Sequence, residues 1–168
     1  TAPGDALTIS ATGGSTTTVT HTFTSSSAGQ IQLAGSITGN VFYAGLEPVT
    51  DNINAQNRIF QLNNTAQTLQ LNNNSAPSGN QLLIDSDQSE SVLFLNPTVS
   101  LAIYGGAAAD IFNIESLNSQ LNAHVTIDGN GGNDSANLAV TAALILAASR
   151  NLTVTAENIA QTNALPVP

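Results

Sequence analysis

The chain of 168 residues is long enough for one domain with a continuous core, and 41% of its residues are apolar. Only 8% are charged, and two arginines with no lysine beside 11 carboxylates give a net charge of −9. This balance disfavours nucleic acid and anionic membranes as partners, because both require clustered cations. The absence of cysteine excludes disulfides and thiolate chemistry.

Short apolar runs separated by Gly, Asn, Asp, Ser or Pro follow one another along the whole chain. In order they include LTIS, TVTHTF, QIQLAG, NVFYAG, RIFQL, TLQL, QLLID, SVLFL, VSLAIY, IFNI, HVTID, NLAV and NLTVT. Many alternate apolar and polar residues, which is the two-residue period of a half-buried strand. The Ala-rich TAALILAASR (141–150) is the only candidate for a helix, and a strand is favoured over a helix there. We predict an all-β fold.

An internal repeat narrows this architecture. The segment LAIYGGAAADIFNI (101–114) matches VTIDGNGGNDSANL (125–138) without gaps, and apolar runs centred near residues 60, 83, 102 and 126 extend the series. A repeat of this length is typical of stacked repeat folds. We predict a parallel β-helix (β-solenoid) with rungs of roughly 19–24 residues. A β-sandwich is the rival fold, but its strands need not resemble one another.

The repeat also predicts a division of the chain. Residues 1–37 carry no clear rung and are expected to form an N-terminal β segment, cap or assembly strand. Residues 38–168 are expected to form the solenoid. Asparagine is frequent at the ends of the runs, where it tolerates tight corners and where stacked side chains can bond to one another.

The two copies of the repeat contain a turn with candidate metal ligands. The segments GGAAADIFN (105–113) and GNGGNDSAN (129–137) resemble the Gly- and Asp-rich nonapeptide of RTX calcium-binding repeats. This resemblance implies a calcium site with Asp110, Asp134 and Asp128 as its candidate ligands. Alanines replace glycines in the first copy, so the alternative is a plain corner of stacked Asp and Asn side chains.

A wider stretch resembles a known kind of protein. The segment Tyr43-Ala-Gly-Leu-Glu-Pro48 is followed by the Gly/Asp turns described above. Together they resemble a module that recurs in very large bacterial surface proteins, over residues 38 to 140. The resemblance implies an extracellular, adhesin-like or fibre-forming unit, and it implies no defined active site.

The sequence contains few candidate catalytic residues. Asp85, Asp87 and Glu90 lie close together in IDSDQSE and could serve a polysaccharide-cleaving β-helix as acid and base. A solvated turn is the alternative. Arg58 lies in no acidic cluster of the sequence, and the two histidines are isolated and form no zinc pattern.

We therefore expect a non-enzymatic structural module of a secreted or surface bacterial protein. It would build a fibre, stalk or adhesive layer through head-to-tail β contacts that involve residues 1–24. We expect no cofactor other than a candidate calcium ion, no nucleic acid and no membrane insertion, whereas surface glycans are candidate partners. A carbohydrate-binding or carbohydrate-cleaving β-helix is the alternative function.

Overall fold

The computed structural model describes residues 5–11, 16–73, 79–138 and 144–161. In these ranges the chain forms fifteen β-strands in two sheets and no helix, which confirms the all-β prediction. From one edge to the other, the eight-stranded sheet contains β1 (Asp5–Ser10), β5 (Leu46–Asn52), β9 (Val92–Leu95), β8 (Gln81–Ser86), β7 (Thr68–Asn73), β11 (Ile111–Ile114), β13 (Ser135–Leu138) and β15 (Asn158–Gln161). The seven-stranded sheet contains β14 (Leu152–Thr155), β12 (His124–Asp128), β10 (Ser100–Tyr104), β6 (Ala55–Gln61), β2 (Thr16–Ser25), β3 (Ala28–Ala34) and β4 (Gly39–Ala44).

The strands formed by the two matched segments pair as the internal repeat predicts. β10 pairs in parallel with β12, so that Ile103 lies beside Ile127. β11 pairs in parallel with β13, so that Phe112 lies beside Ala136. All four side chains are buried, because a strand that is copied in register keeps its inward-facing positions. The pairing of the two copies at a spacing of 24 residues is confirmed.

The prediction of a parallel β-helix is wrong, because both sheets are mixed. β2, β3 and β4 are joined by antiparallel pairing, and so are β7, β8 and β9. The error arises at the apolar run near residue 83. That run forms β8, which pairs antiparallel with β7 in the eight-stranded sheet. The runs near residues 60 and 102 form β6 and β10 in the seven-stranded sheet, so β8 is not a rung between them. β6 and β10 are direct neighbours, although Asn57 and Ser100 in them are 43 residues apart.

Local sequence explains why some strands are antiparallel. Only residues 26 and 27 separate β2 from β3, which is the loop length of a tight hairpin. Alternation of apolar and polar residues determines which face of a strand is buried, but it does not determine the direction of the neighbouring strand. The period of β8 is therefore satisfied by an antiparallel partner.

The core lies between the two sheets as one continuous cluster. Its aromatic centre joins both sheets, since the ring of Phe60 on β6 lies 4.8 Å from that of Phe94 on β9. Coverage decreases towards the last strands. Val154 on β14 is only partly buried, and Ile159 on β15 is 53% exposed.

Three further expectations concern the chain as a whole. Residues 141–143 of the helix candidate lie outside the described residues, and 144–150 contain no helix. No helix in the described ranges has the length and apolarity needed to cross a membrane. The division at residue 37 stays a prediction, and β2 pairs with β6 across it.

Candidate functional site

The residues that directly precede four neighbouring strands form a ladder of hydrogen bonds, which we call the corner ladder. It consists of Gln67, Asp110, Asp134 and Glu157, before β7, β11, β13 and β15. The Gln67 N–H donates to Asp110 Oδ1 (3.1 Å), and the Asp110 N–H donates to Asp134 Oδ1 (2.8 Å). The Asp134 N–H donates in turn to Glu157 Oε2 (2.6 Å). Each carboxylate satisfies a backbone donor of the neighbouring strand at a sharp corner.

Two glycines allow this close approach. A Cβ atom on Gly105 would collide with the Gly129 carbonyl oxygen and crowd Asp110 Oδ2. A Cβ atom on Gly129 would collide with the Asp134 carboxylate. The same glycine is therefore required in both copies of the repeat, and it makes the carboxylate ladder possible.

The environment of Asp110 perturbs its titration. Burial raises the pKa of Asp110 above its ordinary value, and the negative charges of Asp134 and Asp87 add to this effect. Hydrogen bonds from the backbone of Gly106 and Gln67 oppose it. The folded chain therefore holds a proton on Asp110 more tightly than the unfolded chain does.

The three candidate calcium ligands occupy two places. Asp110 and Asp134 are adjacent in the corner ladder, whereas Asp128 ends β12 in the other sheet and its Oδ1 accepts the Asn130 N–H (3.1 Å). Among the described residues no group of three or more acidic or histidine side chains is arranged to hold a metal ion. Calcium takes about six to eight oxygen ligands. Calcium binding by these three residues stays a prediction.

The stacked-corner alternative has direct support. The Asn137 side-chain amide donates to Asn113 Oδ1 (2.9 Å), so these two matched asparagines bond between neighbouring strands. Together with the corner ladder, this bond gives each predicted Asp and Asn pair a role in holding adjacent strands in register.

An open groove lies at the carboxyl ends of β6 and β10, beside Thr22 of β2, and we call it the corner groove. Thr22, Gln61 and Tyr104 form one row across it, because Thr22 is paired with Gln61 and Gln61 with Tyr104. The groove has a volume of about 630 Å³. Its remaining lining residues are Leu62, Asn64, Gly105, Gly106, Ala107, Asn130 and Gly131.

Two asparagines hold the loops around the corner groove. Asn130 Nδ2 donates to the Gly105 carbonyl oxygen (2.7 Å), and Asn64 Oδ1 accepts the Ala107 N–H (3.2 Å). Asn130 has a φ angle of 63°, in the left-handed region that Asn adopts more readily than most residues. The corner at residues 129–132 thus forms one wall of the groove.

The acidic cluster considered for catalysis is only partly assembled. Asp85 and Asp87 are exposed and line a small cleft of about 240 Å³. Glu90 is buried and is not among the residues that line this cleft. Asp87 Oδ1 accepts the Thr68 N–H (2.9 Å), so this carboxylate also holds neighbouring strands together.

Sequence reasoning missed a buried charge network between the sheets. Asp51 on β5 accepts hydrogen bonds from Arg58 on β6, through Nη1 and, at 3.3 Å, Nη2, and it lies 2.9 Å from His21 Nε2 on β2. All three side chains are fully buried. Arg58, which lies in no acidic cluster of the sequence, is thus paired with the single carboxylate of Asp51. In RIFQL, Arg58 and Phe60 are two residues apart and therefore point to the same, buried face of β6. This spacing was the sequence feature that could have predicted a buried Arg58.

Titration in this network follows from its burial. Burial lowers the pKa of His21, and its hydrogen bond and attraction to Asp51 only partly oppose that effect. A neutral His21 can donate from Nε2 to Asp51. Burial alone would raise the pKa of Asp51, but His21 and Arg58 outweigh it and lower this pKa to about 2. The network joins the two sheets, because Asp51 lies in one sheet and Arg58 and His21 lie in the other. Because its side chains are fully buried, it offers no access to a substrate.

The segment behind the family resemblance links the two sheets. Tyr43 lies near the end of β4 in the seven-stranded sheet, and Leu46 begins β5 in the eight-stranded sheet. Gly45 between them has a φ angle of 69°, a conformation that favours glycine. Comparison with protein-family models, curated proteins and solved structures returns no match for this chain. The resemblance to bacterial surface modules stays a prediction, and the fold defines an all-β module of two mixed sheets.

Proposed function

We propose that this chain is a non-enzymatic structural module of a secreted or cell-surface bacterial protein. It associates head to tail with further copies and so builds a fibre, stalk or adhesive layer. The supporting observation concerns the two edge strands of each sheet, which lie at its opposite edges. In both sheets these two edge strands run in the same direction. The unpaired N–H and C=O groups of an edge strand can pair with another chain.

Strand directions can be followed through the eight-stranded sheet. β1, β5 and β9 are parallel to one another, and so are β7, β11, β13 and β15. β8 lies between the two groups and is antiparallel to both β9 and β7. Two reversals cancel, so β1 runs in the same direction as β15. A second copy can therefore add its β1 beyond β15 as a parallel neighbour.

The seven-stranded sheet has the same property. β2, β6, β10, β12 and β14 are parallel to one another, and β3 and β4 add two reversals. β4 therefore runs in the same direction as β14 at the opposite edge. Since both sheets permit the same step, the contact between copies would be heterologous, and such contacts generate open filaments when they do not close.

The four edge strands lack the usual protection against such pairing. Soluble proteins place lysine, other charges or proline on exposed edges. In β1, β4, β14 and β15 the only charged residue is Asp5, and proline is absent. Apolar side chains are exposed there instead, with Phe42 on β4 at 74% and Ile159 on β15 at 53%. Exposed apolar groups at a sheet edge favour association.

Side-chain phases at the two ends are compatible. Leu7 of β1 lies beside the buried Val49, and Ile159 of β15 lies beside the buried Ala136. A register that places Leu7 of one copy beside Ile159 of another would continue both inward faces. Of the predicted assembly segment 1–24, residues 1–4 and 12–15 lie outside the described residues. Of the two described strands in that segment, β1 has a free edge and β2 pairs on both sides.

The composition of the chain supports the proposed extracellular location. The chain contains no Cys, Met, Trp or Lys and many Thr, Ser and Asn residues. Few of its side chains are readily oxidised, which suits an exposed extracellular polymer.

Sedimentation velocity over a series of concentrations tests the proposal. The unmodified chain should form larger species as its concentration rises, whereas Ile159→Lys should remain monomeric because a charge then lies on the edge strand. Ile111→Lys is the matched control, since Ile111 is 41% exposed on the central strand β11. It should associate like the unmodified chain. A monomer at every soluble concentration would overturn the proposal.

Carbohydrate binding or cleavage is the second candidate function. Cleavage would depend on Asp85 and Asp87, because the buried Glu90 does not line their cleft, and hydrolysis of a polysaccharide that vanished in Asp87→Asn would support it. Binding is favoured by a specific observation, the composition of the corner groove.

A further inference from the structure

The corner groove is lined by neutral polar groups from separate parts of the chain. Gln61 and Tyr104 come from the ends of adjacent strands, and Asn64 and Asn130 come from the loops that follow β6 and β12. None of the described residues that line the groove has a charged side chain. Leu62, which is 7% exposed, is the only bulky aliphatic side chain among the described residues that line it.

Several of these groups retain hydrogen-bonding capacity. Asn130 uses its Nδ2 and Asn64 uses its Oδ1 within the loops, which leaves Asn130 Oδ1 and Asn64 Nδ2. Gln61 Oε1 accepts from Thr22 Oγ1 (3.0 Å), which leaves Gln61 Nε2. The groove therefore combines donors and acceptors on rigid planar amides. A hydroxyl group is both donor and acceptor, so a row of hydroxyls matches such a lining.

The lining disfavours other classes of ligand. Phosphate, sulfate and acidic sugars require a cation for strong recognition, and no described lining residue of the groove is cationic. Divalent cations require several anionic or carbonyl oxygens. Apolar peptides and lipids require an apolar surface, which Leu62 alone does not supply.

Tyr104 adds a feature that sugars use. It is partly exposed, and in the row across the strands it lies between Gln61 of β6 and Asp128 of β12. The face of an aromatic ring is electron-rich and attracts the slightly positive edge of C–H groups. The volume of about 630 Å³ lies within the range of about 300–1,000 Å³ that is usual for small-ligand sites. The groove is also open, which suits a segment of a longer chain.

From these observations we infer that the corner groove binds a short segment of a neutral oligosaccharide. Gln61, Asn64 and Asn130 hydrogen-bond its hydroxyls, and Tyr104 packs against a sugar ring. This site goes beyond the proposed self-association and does not depend on it, because none of the lining residues lies in β1, β4, β14 or β15.

Isothermal titration calorimetry tests the inference with three probes: cellohexaose, mannohexaose and trigalacturonate. At least one neutral hexasaccharide should bind, and trigalacturonate should bind at least about tenfold more weakly. Gln61→Ala and Tyr104→Ala should each weaken neutral binding by about tenfold, the size of one lost polar or aromatic contact. Gln61 is exposed, so its removal should leave the thermal melt unchanged.

Gln70→Ala is the matched control. Gln70 is also an exposed strand glutamine, but it lines the small cleft on the other sheet, and its removal should leave binding unchanged. The inference is overturned if neither neutral hexasaccharide binds, or if trigalacturonate binds as tightly as they do. It is equally overturned if a folded Gln61→Ala variant binds like the unmodified chain. Because the Ile159→Lys monomer keeps the groove, sugar binding by that variant separates this result from any failure of self-association.

Discussion

The N-terminal part of the molecule (residues 5–95) and the C-terminal part (residues 100–161) bury their apolar residues differently. The N-terminal part uses hairpins, stacked aromatic rings and the enclosed network of His21, Asp51 and Arg58. The C-terminal part copies short parallel strands and joins them through the corner ladder. A copied strand needs a neighbour on each side to cover its inward face, so the last copy remains partly open.

The largest difference should appear when the buried network is broken. Asp51→Asn leaves Arg58 buried without a counter-charge, and we expect the free energy of unfolding to fall by about 3–5 kcal/mol. Urea denaturation followed by circular dichroism measures this change. Asp85→Asn is the control at an exposed position and should change stability by less than about 0.5 kcal/mol. A loss at Asp51 as small as that of the control would show that the network does not hold the sheets together.

A matched pair of valines tests the decrease in coverage along the C-terminal part. Val125 on β12 is 1% exposed, whereas Val154 on the edge strand β14 is only partly buried. Val125→Ala should cost about 2 kcal/mol, since it removes buried apolar surface and leaves a cavity. Val154→Ala should cost clearly less in the monomer. Equal losses in urea denaturation at low protein concentration would contradict the description of an open end.

Acidification should affect the N-terminal network first. The pKa of His21 is lowered in the folded chain from the ordinary value of 6.5, so the unfolded chain takes up this proton more readily. Stability should therefore fall as pH drops below about 6.5, by up to about 1.4 kcal/mol per pH unit for one proton. Asp51 should add a further loss between pH 3.8 and about 2.

Variants at single positions separate these contributions to the pH dependence. His21→Gln keeps a side-chain donor near Asp51 but cannot be protonated, so its stability should change less between about pH 6.5 and pH 5. Asp110 in the C-terminal part acts in the opposite sense, because its raised pKa favours the folded state at acid pH. An unchanged slope in His21→Gln would show that another group causes the acid sensitivity.

The smallest expected effect concerns calcium. If the carboxylates of Asp110 and Asp134 serve the backbone as the corner ladder describes, the melting temperature should be the same in calcium and in EDTA. Binding of calcium to the folded chain alone would raise it. A rise that is present in the unmodified chain and absent in Asp134→Asn would establish the calcium site instead.

The C-terminal part could be predicted from sequence to a greater extent than the N-terminal part. The gapless match between its two repeats is sufficient to predict that Ile103 lies beside Ile127, because copied strands in one sheet keep their phase. The same reasoning misplaces β8, since its alternation is the same for a parallel or an antiparallel neighbour. The all-β class therefore follows from the sequence, whereas the mixed topology does not.

The candidate sites also differ in how far they could be predicted from the sequence. The matched Asp110 and Asp134 are adjacent, as a repeat of 24 residues requires. The corner groove could not be predicted, because Thr22, Gln61 and Tyr104 meet only through strand pairings that span about half of the chain. Asp51 and Arg58 lie on successive strands of different sheets, and sequence spacing alone does not show that two such side chains face each other.

Disulfide cross-linking tests head-to-tail association most directly, because the chain has no cysteine of its own. Thr8 on β1 and Ala160 on β15 are exposed, and they become neighbours when Leu7 lies beside Ile159 of the next copy. Adjacent strands lie about 4.8 Å apart, within the span of a disulfide. Oxidation of the double variant Thr8→Cys, Ala160→Cys should produce a ladder of cross-linked multimers on a non-reducing gel. Thr8→Cys combined with Gln70→Cys, on the central strand β7, should not produce one. If the first variant remains monomeric under oxidation, or if both variants form the same ladder, the proposed contact between β1 and β15 is wrong.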